Sequence, residues 1–218
     1  MTQPLAGTLA DTYMRERGIL RASANAALRF HPSCYYRDLV TGRTTSYPAL
    51  IAAVTDTAGA ITGVHRTWLD PDSVGKAKVD SPRRALGSLL GNGVRFRFPV
   101  NASVPVVAAG EGLETMLSLS HMMPDMPMVA ALTANHLAAF NFPPGCQRLY
   151  IAADADAAGR HGIEGLSRRA QECGILPLVL SPVLGDFNED LRWLGPDRLT
   201  AGLMAQLIPE DAIAFLPA

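Results

Sequence analysis

Residues 149–160 read Leu-Tyr-Ile-Ala-Ala-Asp-Ala-Asp-Ala-Ala-Gly-Arg. Five apolar residues run straight into Asp154-Ala155-Asp156, and a helical period begins at Gly159; the stretch reads as a buried strand, an acidic turn and a helix start. The same rhythm recurs on both sides. Val104 to Ala109 is followed by a helical pattern at Leu113 to His121, and Met128 to Leu132 by one at Ala134 to Phe140. After the helix expected at Gly159 to Cys173 comes a last strand at Leu176 to Leu180. Short strands alternating with helices predict an α/β unit whose mainly parallel sheet is flanked by helices.

In such sheets ligands gather beyond the carboxyl ends of the strands. Acids at those ends are therefore candidate site residues, and three groups stand there. Glu111 lies between two glycines after the first strand, with Glu114 one turn on. Asp154 and Asp156, two apart, point the same way on an extended chain. After the last strand comes Gly185-Asp186-Phe187-Asn188-Glu189-Asp190, whose spacing predicts Asp186, Asn188 and Asp190 within reach of a second cation. Mutually repelling carboxylates are costly to bury unless a cation offsets them, and a donor set of oxygens without His or Cys suits Mg²⁺ or Mn²⁺. An Asp-x-Asp after a strand is also a common helix cap; the joint occurrence of all three groups carries the metal reading.

The first hundred residues have a different character. A helix is expected around Leu9 to Arg17, stopping at Gly18. Leu50 to Thr55 and Ile61 to Trp68, separated by Asp56-Thr57-Ala58-Gly59, predict a hairpin. Asp70 to Gly93, with the two lysines Lys76 and Lys78, reads as a loop-rich surface, and Val94 to Phe98 as a strand with Arg95 and Arg97 on one face. Net charge over the 218 residues is -1, yet residues 1–100 carry 13 Lys or Arg against 7 acids, and the remainder 6 against 13. The first part is suited to phosphate and the second to cations. Three cysteines, with His31 and Cys34 the nearest pair of zinc-ligand types, make neither a zinc site nor a disulfide framework. No apolar run reaches the roughly 20 residues of a membrane span and no signal peptide is evident, so a cytoplasmic protein without membrane contact is expected. Trp68, Phe96 and the methionines at 122, 123, 126 and 128 are expected in the core, and His65 at a half-buried position.

The stretches Val106 to Leu119 (VVAAGEGLETMLSL), Ile151 to Arg160 (IAADADAAGR) and Gly185 to Leu191 (GDFNEDL) resemble the three motifs of the Toprim domain. Their form is most similar to the primase domains of conjugative plasmids and of phage primase–helicases. The resemblance implies a basic α+β subdomain at 1–100, a Toprim catalytic domain at 101–195 and a helical tail at 196–218. It also implies a DNA primase-like nucleotidyltransferase that makes short RNA primers on single-stranded DNA from ribonucleoside triphosphates, with a replicative helicase as a further partner. Glu111, Asp154, Asp156 and Asp186 would be its catalytic acids. They would hold Mg²⁺ or Mn²⁺, joined by Asp190. On the basic side Arg66, Lys76 and Lys78 would hold phosphates, and Arg83, Arg84, Arg95 and Arg97 would follow the template. A metal-dependent Toprim nuclease and a non-catalytic nucleic-acid-binding scaffold remain open alternatives at this point.

Overall fold

Thr8 caps helix α1 (Leu9–Arg15) by accepting the Asp11 N–H. Gly18, at φ 76°, ends the turn in the left-handed region and lets the Ile19 N–H reach the Met14 carbonyl. These and the following features come from a computed structural model that describes residues 1–99, 102–154 and 157–217, without the side chains of 157–160. Strands β1 (Leu28–Arg37), β2 (Thr44–Thr55), β3 (Ile61–Trp68) and β4 (Arg83–Gly87) form an antiparallel sheet in chain order. The expected hairpin is β2–β3, with the Asp56 carboxylate accepting the N–H groups of Ala58 and Ala60 in its turn. Two strands lie outside the sequence reading. β1 contains Pro32 and shifts register between His31 and Cys34, while β4 is Arg-Arg-Ala-Leu-Gly, a poor strand former held by its pairing to β3.

The second sheet has the order β5-β7-β6-β8-β9, from β5 (Val94–Phe96), β6 (Val106–Gly110), β7 (Met128–Ala130), β8 (Arg148–Ala152) and β9 (Leu176–Leu180). All its pairings are parallel except that of β5, an antiparallel edge. An α/β architecture with a mostly parallel sheet, preceded by an antiparallel unit, is thus present as expected. The strand at Val94 joins this sheet, and it is shorter than expected: it stops at Phe96 because Arg97 turns to φ 57°, so Arg95 and Arg97 do not share a strand face.

Strand order sets the faces. From β6 the chain passes through α2 (Leu113–Met122) to β7 on one side, then through α3 (Ala134–Ala138) to β8 on the other, and through α4 (Ala157–Glu172) to β9. Right-handed crossovers travelling in opposite directions place their helices on opposite faces. The core agrees: Val107, Ala109, Leu149 and Ile151 cluster with Leu137, Leu166 and Ala170 of α3 and α4. Their alternate neighbours Val106, Ala108, Tyr150 and Ala152 cluster with Met116 and Leu117 of α2, and also with Tyr13, Leu50 and Val54 of the first unit. One apolar cluster therefore runs through both sheets, and Met122, Met123, Met126, Met128 and Phe96 lie within it. Trp68 is buried under the first sheet with Tyr36.

The chain closes on the same face with α5 (Phe187–Glu189), a π turn at Asp190–Leu194, α6 (Pro196–Met204) and α7 (Pro209–Phe215). Asp211 of α7 is buried and accepts two bonds from the Arg148 guanidinium (2.8 and 2.7 Å) and one from the Tyr150 hydroxyl (2.7 Å). This bidentate clamp holds the last helix to β8. No helix among the described residues is long and apolar enough to cross a membrane.

Candidate active site

Parallel register pairs Gly110 of β6 with Ala152 of β8, and adjacent strands lie about 4.8 Å apart, so Glu111 and Asp154 leave neighbouring strands at one rim. The chain moves away from this strand pair in opposite directions, which opens a crevice there. Its volume is about 630 Å³, and Glu111, Asp154 and Asp186 all line it. The Glu111 turn is held from both sides. Ala131 and Leu132 donate N–H groups to the carbonyls of Gly110 and Glu111, and Leu132 adopts φ 77° to do so, a non-glycine conformation that costs on the order of 1–3 kcal/mol. A Cβ on Gly110 would meet the Met116 sulfur at 2.5 Å; glycine is what allows α2 to start this close to the rim. Gly112, the N-cap of α2, supplies no side-chain bond, and the first turn of that helix borders the crevice with its N–H groups. Thr115 on that turn donates to Asp154 at 3.4 Å.

Asp186, Asn188 and Asp190 do not converge. The segment is helical, at roughly 100° per residue, so positions two apart point away from each other. Asp186 caps α5 by accepting the Glu189 N–H (2.7 Å) and borders the crevice with Glu189. Asn188 is buried, accepting from the Arg17 guanidinium (2.9 Å) and donating to the Arg17 carbonyl and the Ser118 hydroxyl. Asp190 is buried and accepts the N–H groups of Val183 and Leu184 at 2.8 Å each, so its carboxylate pins a turn. Asp156 lies outside the described residues. Among the described residues no three His, Cys, Asp or Glu side chains stand close enough to share a metal. Glu111 and Asp154 nonetheless form an all-oxygen donor pair at adjacent strand ends, with the Thr115 hydroxyl beside them, and that chemistry fits a hard divalent cation.

The facing wall is basic and comes from the first unit: Arg17, Lys76, Arg83 and Arg84, with His65. Lys76 is presented by a closed loop in which Asp70 accepts from the Asp72 N–H and the Ser73 hydroxyl, while the Asp70 N–H bonds to the Gly75 carbonyl. Sheet faces sort the rest. His65 and Arg83 of β3 and β4 point toward the crevice. Arg66, the cross-strand partner of Arg84, stacks over Tyr35 and Trp68 on the other face. Arg84 borders the crevice but donates to the Tyr36 hydroxyl and the Arg37 carbonyl, both at 2.7 Å. Lys78 is exposed and pairs with Asp70 at 3.7 Å. Arg95 and Arg97 line a different cavity.

Between the two walls sits Glu114, which the sequence reading placed in the motif without a role. Its buried carboxylate accepts from the Tyr13 hydroxyl (2.8 Å) and pairs with Lys76 (3.3 Å) and Arg83 (3.9 Å). Burial pushes its pKa up, but Lys76, the Tyr13 bond, Arg17 and Arg83 together outweigh that and hold it down at about 2. Burial also lowers the Lys76 pKa in spite of Glu114 beside it. The signal for Glu114 was its place one turn after Glu111; its partners come from residues 13, 76 and 83, which only the tertiary fold brings near.

His65 is buried, and burial lowers its pKa to about 4, with Arg83, Lys76 and Arg66 opposing its charge and Glu114 favouring it. The folded imidazole is therefore neutral where an unfolded one, near 6.5, begins to take up protons. Stability is fully present above pH 6.5 and declines as pH falls toward 4, by up to about 3 kcal/mol for this group. Thermal unfolding followed from pH 7.5 to 4.5 is expected to show this loss, and His65→Asn to flatten it; an unchanged slope in the variant would assign the loss elsewhere.

Comparisons with known proteins agree with this architecture. Residues 106–197 match the family model of the Toprim domain, and residues 1–96 match a domain of unknown function (DUF7146). No curated protein sequence matches. Among solved structures, a DNA primase domain from Pseudomonas aeruginosa aligns at 17% identity and TM-score 0.57, over 92% of this chain and 72% of that one. The primase fragment of the bacteriophage T7 primase-helicase protein aligns at 20% identity and TM-score 0.51, over 80% of this chain and 66% of that one. The RNA polymerase domain of Mycobacterium tuberculosis primase DnaG aligns at 16% identity and TM-score 0.53, over 97% and 86%. At these identities the likeness is one of fold. With Glu111, Asp154 and Asp186 bordering one crevice, residues 106–197 carry a Toprim domain, and the chain shares the fold of primase domains.

Proposed function

We propose that this protein is a primase-type nucleotidyltransferase that builds short RNA primers on single-stranded DNA. One observation carries the reading: an acidic rim from one sheet faces a basic wall from the other across a single crevice. Phosphoryl transfer asks little covalent chemistry of a protein and much positioning and charge. Glu111, Asp154 and Asp156 would hold Mg²⁺ or Mn²⁺, with Asp186 beside them; the cation, when bound, neutralises charge on a ribonucleotide triphosphate and favours attack by a primer 3′-hydroxyl. Lys76 and Arg83 would take the triphosphate, exchanging part of their pairing with Glu114 for phosphate oxygens. The N–H groups at the start of α2 add partial positive charge. Arg17 stands where a template backbone could pass along the wall.

A structural neighbour is the DnaG primase catalytic domain bound to ssDNA, at 17% identity and TM-score 0.54, which supports a single-stranded DNA partner. The T7 primase-helicase neighbour supports a helicase partner in the same way. Incubation with single-stranded DNA, labelled ribonucleotides and Mg²⁺ or Mn²⁺ is expected to yield short oligoribonucleotides. Template cleavage without synthesis would instead establish a nuclease, and DNA binding without turnover a scaffold; either outcome overturns the proposal.

A further inference from the structure

A second cavity, of about 380 Å³, lies at the opposite end of α2 from the acidic rim. The ten residues of that helix separate the two by about 15 Å. Three guanidinium groups border it: Arg21 from the turn after α1, and Arg95 and Arg97 from the exit of β5. Among the described residues the only carboxylate on its lining is Asp56, whose Oδ1 already accepts the N–H groups of Ala58 and Ala60. The negative end of α2 contributes about half a charge more, which leaves an excess of more than one positive charge.

Arg95 is the informative member. Its Nη1 donates to the Thr55 carbonyl, but Nε and Nη2 are buried and make no hydrogen bond, and its guanidinium lies 5.6 Å over the Phe98 ring. His121, on the same cavity, also has a buried Nδ1 without a partner. A cavity bordered by three arginines and a single carboxylate that is already engaged is suited to an anion. Burial lowers the Arg95 pKa to about 10, with Asp56 opposing, and burial lowers that of His121, with Arg21 adding to the shift. Ile19, Leu117 and Pro124 add apolar surface to the lining. Cationic and apolar lining residues around a volume of this size suit an amphipathic anion no larger than a mononucleotide.

We infer that the cavity bordered by Arg21, Arg95 and Arg97 is a second ligand site, for a nucleoside phosphate, separate from the acidic crevice. Its size and the apolar lining residues favour a small molecule over a continuous nucleic-acid strand, which would need a groove leading away on both sides.

Calorimetric titration with ADP in EDTA, where metal-dependent binding at the acidic rim is silenced, tests this directly. One ADP per chain is expected. The double variant Arg21→Ala/Arg97→Ala, at two exposed positions, is expected to weaken binding at least tenfold with an unchanged unfolding midpoint, while Asp154→Asn leaves the affinity within twofold. No ADP binding, full affinity in the double variant, or loss of affinity in Asp154→Asn would each overturn the inference. So would binding of an oligothymidine but not of ADP, with that binding lost in the double variant: the arginines would then serve a strand.

Discussion

Asp154→Asn and Glu111→Gln are each expected to lower ribonucleotide incorporation by about 10³-fold or more while leaving the fold intact. Both side chains line the acidic crevice from adjacent strand ends, and each replacement keeps shape while removing the charge that would hold a divalent cation. A metal supplies several kcal/mol of transition-state stabilisation, and about 4 kcal/mol is a thousandfold in rate. Thr115 donates to Asp154 at 3.4 Å, a long hydrogen bond that an amide oxygen at this position can also accept. Primer-extension rates beside unfolding curves separate the two effects: full activity in either variant would remove that residue from the metal site, and loss of fold would make its carboxylate structural.

Glu114 has the opposite balance. Glu114→Ala is expected to destabilise the protein by about 3 kcal/mol, since it leaves the half-buried Lys76 ammonium beside Arg83 without a counter-charge and the Tyr13 hydroxyl without an acceptor. The loss also unties α1 and the loop before β4 from α2, so the two walls of the crevice would separate more readily and DNA affinity should fall too. Because its folded pKa of about 2 is below the ordinary 4.5, Glu114 stabilises the fold fully above pH 4.5, and its contribution fades as pH falls from there toward 2. Denaturant unfolding of wild type and Glu114→Gln across pH 5 to 2.5 checks the sign. The wild type should lose stability more steeply, and parallel curves would show that the carboxylate is not the stabilising form.

The acids that line the crevice were legible in the sequence for a local reason. A buried strand announces itself by a short apolar run, a residue just past its end must lie at the sheet's rim, and two such runs were followed at once by acids, with Asp186 six residues beyond a third. Asp190 and Asn188 were misplaced by the same local logic, because a spacing of two describes an extended chain and the segment coils. The basic residues were harder. Arg66 and Arg83 look alike in sequence, and only the β3–β4 register turns one toward Trp68 and the other toward Glu114.

Composition and motif spacing alone determined that residues 106 onward form a helix-flanked parallel sheet with acids at its carboxyl rim, and that the opposing charge resides in the first hundred residues. Tertiary structure decided which of those charges meet. Val94 to Phe96 satisfies the pattern of either sheet, and it pairs with β7 because that edge offers unpaired backbone groups and a continuous apolar face. That choice carries Arg95 and Arg97 to the far end of α2 and leaves Lys76 and Arg83 to face the acids. A strand's periodicity tells which residues share a face; only the partner strand decides what that face looks upon.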